Sequence, residues 1–121
     1  MKKIALIALL AISALAFNQS GKAGDLDVSV STDKPIFVGE NKFKIKITKA
    51  GKNIKDAIVK LKVWMPEMPG MPAMGEEVDA KINGETYEAV APLMMNGGWQ
   101  ITISAKEKEQ KPKKYKFNIN L

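Results

Sequence analysis

The segment Lys42-Phe43-Lys44-Ile45-Lys46-Ile47 alternates lysine with apolar side chains without a break, and this period of two constrains the fold more than any other feature of the chain. A strand sends successive side chains to opposite faces, so such a segment has one buried face and one solvated face. The signature recurs along the sequence. Leu26, Val28 and Val30 alternate with Asp27, Ser29 and Ser31; Ala57, Val59, Leu61 and Val63 face a core while Lys60 and Lys62 face out. Val78, Ala80 and Ile82 share one parity, and so do Trp99, Ile101 and Ile103, which makes Trp99 a core residue. Tyr115, Phe117, Ile119 and Leu121 form a last alternating set.

Turn chemistry separates these segments. Asp33-Lys-Pro35 and Ala50-Gly-Lys-Asn53 interrupt the pattern, Asn83-Gly84 predicts a type I′ hairpin, and Pro92 stops the returning strand Thr86–Ala91. The sum is seven strands, with no helix and no internal repeat. That pattern predicts a seven-stranded antiparallel immunoglobulin-like β-sandwich, without a disulfide because the chain has no cysteine. The lysine faces would form its outer surfaces and discourage edge-to-edge pairing.

Met1-Lys-Lys3, the uncharged run Ile4–Phe17 and the small-residue site Ala14-Leu15-Ala16 read as a secretory signal peptide over residues 1–16. The run is shorter than the ~20 residues a membrane span needs. The expected product is therefore exported, periplasmic or secreted, with no membrane anchor after cleavage. Residues 17–25 read as a polar leader and 26–121 as one domain. All 19 basic residues are lysine; without Lys2 and Lys3, 17 lysines face 13 acids, a moderate excess that suits a solvated surface. Nucleic acid is not an expected partner, because export separates the chain from it and no arginine is present to fork onto phosphate or bases.

The stretch Trp64-Met-Pro-Glu-Met-Pro-Gly-Met-Pro-Ala-Met-Gly75 does not fit the alternating pattern. Pro66, Pro69 and Pro72 each remove a backbone donor and fix φ, so the segment can be neither helix nor central strand. In a locally polyproline-like loop of three residues per turn, Met65, Met68, Met71 and Met74 would line one side. Thioether sulfur is neutral and polarizable and selects soft ions such as Cu(I) or Ag(I) over Zn²⁺, Mg²⁺ or Ca²⁺. The alternative is that the methionines are flexible filler folded over one end of the core. A second irregular stretch, Leu93-Met94-Met95-Asn96-Gly97-Gly98, adds Met94 and Met95. Strand parity puts Trp64 on the solvent side, where its indole could cover a soft cation; a bulge at the strand end would instead return it to the core.

The chain contains neither His nor Cys, which removes the usual general base, the thiol nucleophile and the imidazole or thiolate ligands of zinc and blue-copper centres. Ser29, Ser31 and Ser104 have no partner base in view, and Glu76, Glu77 and Asp79 lack the spacing of a calcium loop. The expectation is a protein that is not an enzyme and has no obligatory cofactor.

Three stretches carry a resemblance: Val63-Trp-Met-Pro-Glu-Met-Pro-Gly-Met71, Gly84-Glu-Thr-Tyr87-Glu-Ala, and Met95-Asn-Gly-Gly-Trp99-Gln-Ile-Thr-Ile103. In these the chain resembles the YtkA-like or FixH-like family of small exported β-sandwich domains, from roughly Leu26 to the end. The resemblance implies a periplasmic accessory role beside heavy-metal or copper efflux pump components, or, for FixH-like members, beside cytochrome oxidase assembly factors. It carries the Met-Pro loop onto Met65, Met68 and Met71, and the strand entry onto Met94 or Met95 with Trp99. Combined with the soft-ligand chemistry, the expectation is an accessory protein that takes Cu(I) or Ag(I) on Met65, Met68, Met71 and Met74, with Met94 or Met95 and a covering Trp64. The rival expectation is a metal-free interaction module that docks on a membrane pump or an oxidase assembly complex through the same loop.

Overall fold

The computed structural model describes residues 17–121, and the proposed signal peptide lies outside the described residues. Among them every regular element is a β-strand, and no helix is long and apolar enough to cross a membrane. The strands are β1 (Asn18–Ala23), β2 (Leu26–Ser31), β3 (Gly39–Lys49), β4 (Lys52–Asn53), β5 (Ile58–Met65), β6 (Met74–Asn83), β7 (Thr86–Leu93), β8 (Gly98–Lys106) and β9 (Lys113–Asn120). All pairings are antiparallel, in the order β1-β2-β3-β7-β6-β5-β8-β9, with the two-residue β4 folded back on β3.

The alternation read from the sequence is the alternation that is buried. Leu26, Val28 and Val30 of β2 lie in the core with Phe43, Ile45 and Ile47 of β3, and Val28 pairs with Ile47 while Val30 pairs with Ile45. Val59, Leu61 and Val63 of β5 meet Ala105, Ile103 and Ile101 of β8 in register. Trp99 is buried, and its indole Nε1 donates to the Met95 carbonyl at 3.0 Å. A polar N–H taken out of water needs such a partner, and this one anchors the loop before β8.

Strand β6 belongs to both layers. Its residues from Met74 to Ala80 pair with β5, and Lys81–Asn83 pair with β7. Ile82, expected in the core, is exposed because it sits past this corner, where the strand has left the layer that buries Val78 and Ala80.

Three expectations are corrected. Among the described residues there are nine strands where seven were expected, because residues 18–23 are no leader but strand β1, and because β4 forms after the Ala50-Gly51 turn. β1 carries no apolar alternation, and it is held by backbone pairing to β2 and by the ring of Tyr115, which occupies the place a side chain at Gly21 would take. The β6–β7 hairpin turns on Gly84-Glu85, one residue later than expected. Only Gly84 has positive φ, 70°, which is the pattern of a type II′ turn in place of type I′.

The outermost strands β1 and β9 approach without a backbone ladder. Tyr115 bridges them, donating from its hydroxyl to the Ser20 carbonyl at 2.9 Å and accepting from Gln19 Nε2 at 3.1 Å. Phe17 stacks on Phe117 with centroids 5.7 Å apart. Tyr87 ties down the segment between β4 and β5: its hydroxyl donates to the Ile54 carbonyl at 2.8 Å and accepts from the Ala57 amide at 3.0 Å.

Candidate functional site

Six of the seven methionines in the chain fall in or at the mouths of two loops, β5–β6 and β7–β8. Strand order brings these loops to the same end of the sandwich, since β5 pairs with both β6 and β8 and its last residues oppose the first residues of each. The 32–38 loop that enters β3 reaches this end too, because Gly39 pairs with Leu93 at the close of β7. The end is unusually apolar for a surface. Phe37, Val38, Trp64, Met68 and Met94 are all exposed there.

The Met-Pro loop is no polyproline stripe. Met65 pairs with Met74 at the mouth of the hairpin, and Met68 pairs with Met71 across the tight turn Pro69-Gly70. Met71 N donates to Met68 O at 2.8 Å, and Met68 N returns the bond to Met71 O at 3.0 Å. Proline at the first central position and Gly70 at φ 81° at the second make a type II turn. Pro66 and Pro72 lack N–H groups, which accounts for the break in the ladder between the two pairs. The spacing of three therefore yields two cross-strand pairs in place of one row.

Their surroundings differ. Met65 is only 2 % exposed, packed in the core with its methyl against Gly97, where any Cβ would lie 2.9 Å from it. Met74 and Met95 are half-buried against the core, and Met71 is half-buried in the turn. Met68 is exposed, and Met94 is 66 % exposed. Met74 and Met94, from separate loops, line one cavity of 120 Å³ together with Gly75, Glu76, Pro92 and Trp99. That is room for an ion and well below the size of an organic cofactor pocket. Among the described residues no group of three His, Cys, Asp or Glu is placed to hold a metal; the cavity is lined by the two methionines and by Glu76.

Trp64 stays on the outer face, 37 % exposed, with no bulge returning it to the core. Its ring lies over Gly75, its direct partner on β6, where an added Cβ would come within 2.7 Å of Cε3. Lys62 Nζ stands 5.0 Å from the ring centroid, a cation already on the indole. Such a contact is worth about 0.5–1 kcal/mol at an exposed site. Trp64 does not line the Met74–Met94 cavity; Trp99 does.

The far end of the sandwich is charged. Asp25 in the β1–β2 turn meets Lys113 and Lys49, and the Lys113 ammonium holds its carboxyl down at about 2. Glu107 lies 3.5 Å from both lysines. These pairs link the β1–β2 turn to the start of β9 and stand apart from the methionine end.

Sequence reasoning passed over Phe37 and Val38, and over the amides Gln100, Asn118 and Asn120. The signal was present: the outward positions of β8 and β9 carry lysine and hydroxyl groups along most of their length and turn to uncharged amides where the strands reach the methionine end.

The geometry defines a small antiparallel β-sandwich with two methionine loops at one end. The model of the YtkA-like family matches residues 20–104, and the chain belongs to that family. The match starts within β1, earlier than the Leu26 boundary drawn from the motifs, and runs into β8. Among solved structures the chain is similar to a DUF4426 family protein from Pseudomonas aeruginosa PAO1, at 16 % identity and a TM-score of 0.57, covering 86 % of this chain and 94 % of that one. At that identity the likeness is one of fold. No curated protein matches the chain.

Proposed function

We propose that this protein is an exported accessory protein that binds Cu(I) or Ag(I) through thioethers at its methionine end and passes the ion to an efflux pump or an oxidase assembly partner. The observation that carries the reading is that Met74 and Met94, from different loops, line one small cavity with room for an ion. Met71 and Met68 stand in the adjoining turn as further donors, and Met95 lies beside Met94. Met65 is sealed in the core, so in this reading it supports the loop and joins the ligand set only when the loop opens. Thioethers carry no proton to lose and favour a soft monovalent ion, which suits a carrier of Cu(I) in an exported compartment. The exposed Met94 would give an acceptor protein a first point of contact for ligand exchange. Export rests on the signal-like residues 1–16, and the scaffold is read as a variant of the immunoglobulin-like sandwich in which β6 is shared.

The test is an anaerobic Cu(I) titration against a chromophoric competitor, comparing the unaltered protein with the double substitution Met74→Leu/Met94→Leu. Uptake of one ion, weakened at least tenfold in the double variant while Met65→Leu changes little, is the expected result. Equal affinity in the double variant would remove this cavity as the site.

A second reading is favoured by Phe37, Val38, Met68 and Met94, exposed together at the same end. Exposed apolar groups of this kind mark protein docking surfaces, and methionine adapts to varied partners. In that case the same Leu substitutions would leave partner binding intact and there would be no ion to lose.

A further inference from the structure

Independent of any metal, the outer face of the β5-β8-β9 layer carries a built well. Two rows of side chains cross these strands beside the methionine end. In the first row Trp64 opposes Gln100, and Gln100 opposes Asn118. In the next, Gly98 opposes Asn120, and Pro66 continues β5 alongside. The missing side chain at Gly98 leaves a depression between Pro66 and Asn120; a Cβ there would lie 3.3 Å from Asn120 Oδ1. The resulting groove measures 490 Å³, is walled by Trp64, Pro66, Gln100, Asn118 and Asn120, and has Trp99 and Ile119 beneath it. Its volume is that of a small-ligand site.

The chemistry of the lining is specific. No lining side chain is charged. Among the described residues none of the three amides forms a hydrogen bond within the protein, so each keeps its carbonyl acceptor and its two N–H donors for a ligand. Strands stand about 4.8 Å apart, which spreads Trp64, Gln100 and Asn118 over about 10 Å, the length of two sugar rings. An indole at the β5 border of the groove, its ring resting over Gly75, together with unpaired, uncharged amides on β8 and β9, suits a molecule with apolar C–H faces and a rim of hydroxyl or acetamido groups. The cation at the groove's edge, Lys62, already lies over the Trp64 ring, and the lining itself offers a carboxylate or phosphate ligand no opposite charge, whereas a purely apolar ligand would leave three amides unpaired.

We propose that this well binds an uncharged pyranose glycan, one ring stacked against Trp64 and its polar rim bonded to Gln100, Asn118 and Asn120, with Lys62 moving off the indole as the sugar arrives. The test uses the full exported chain, monitored by tryptophan fluorescence and calorimetry, with tetramers of N-acetylglucosamine and of glucose as neutral probes and oligogalacturonate as the anionic one. Saturable binding of a neutral tetramer in the millimolar range or tighter is expected. Gly98→Val, which fills the well at a position of ordinary φ, should weaken it at least tenfold, as should Asn118→Ala/Asn120→Ala, with unfolding midpoints showing that both variants fold. Binding that survives Gly98→Val undiminished, binding of the anionic probe alone, or no saturation by either neutral probe at tens of millimolar would each overturn the proposal. Met74→Leu/Met94→Leu should leave glycan binding unchanged, which separates this site from the thioether cavity.

Discussion

Replacing Tyr87 by phenylalanine removes one oxygen atom and exposes how much of the fold hangs on it. The Tyr87 ring is buried, and its hydroxyl serves two backbone groups thirty residues away, donating to Ile54 O and accepting from Ala57 N. Those groups belong to a segment with no ladder of its own between β4 and β5, so the substitution would leave a carbonyl and an amide to find water at a half-buried site. Each bond contributes about 1 kcal/mol net, and the partly exposed surroundings limit the added desolvation cost, giving a loss of about 2 kcal/mol. For a domain of this size that corresponds to a melting temperature lower by about 8–16 °C. Urea unfolding at pH 7, with an unchanged slope, is the assay. A loss below about 0.5 kcal/mol would refute the reasoning, for it would mean that water replaces the hydroxyl at little cost. Alkaline pH gives an internal check. Burial raises the Tyr87 hydroxyl above its ordinary value of 10.0, so the stability it contributes is complete below that value and is lost as pH rises through the folded one. The difference between the parent and Tyr87→Phe should therefore shrink only at strongly alkaline pH.

Asp25 should titrate near 2 in a carboxyl-detected NMR experiment and move back toward 3.8 in Lys113→Met; because its folded value is lowered, its contribution is present above 3.8 and fades as pH falls toward 2. Gly75→Ala should destabilise the protein by about 1–3 kcal/mol and shift tryptophan emission, since a Cβ there collides with the Val63 carbonyl and forces the Trp64 ring away; an unchanged spectrum and midpoint would show that the close approach is absent in solution. Cu(I) uptake should hold from pH 7 to about 5, because thioethers do not titrate, and should fail after conversion of the methionines to sulfoxides; a steep loss of metal across that pH range would point to other ligands.

The core was legible because its information is local. Alternation alone identifies Phe43, Ile45, Leu61, Val63 and Trp99 as buried and Lys60 and Lys62 as solvated. β1 was not legible, since Asn18–Ala23 holds no apolar period and becomes a strand only because β2 offers it a ladder and Tyr115 covers it. The turn at Gly84 shifted by one residue because both neighbours of the glycine can serve a two-residue turn, and pairing of Asn83 with Thr86 decides between them. At the methionine end, composition announced an irregular loop, and the prolines keep it irregular. How the thioethers group was hidden, because Met68 meets Met71 through a reverse turn, and Met74 and Met94 come to one cavity only through the order of β5, β6, β7 and β8. The outward parity of Trp64 was readable, whereas its resting place over Gly75 required the register of β5 against β6.

The strand that serves both layers has a mechanical consequence. With Met74–Ala80 laddered to β5 and Lys81–Asn83 laddered to β7, the two layers cannot slide or hinge apart without breaking the backbone bonds of β6 itself. Whatever the methionine end admits or releases must therefore pass through rearrangement of its loops, above all the Pro69-Gly70 turn, on a frame that stays rigid. Loop motion at this end is then separable from unfolding of the frame, and amide protons in the middle of β5 and β8 should remain protected as those in the loops turn over.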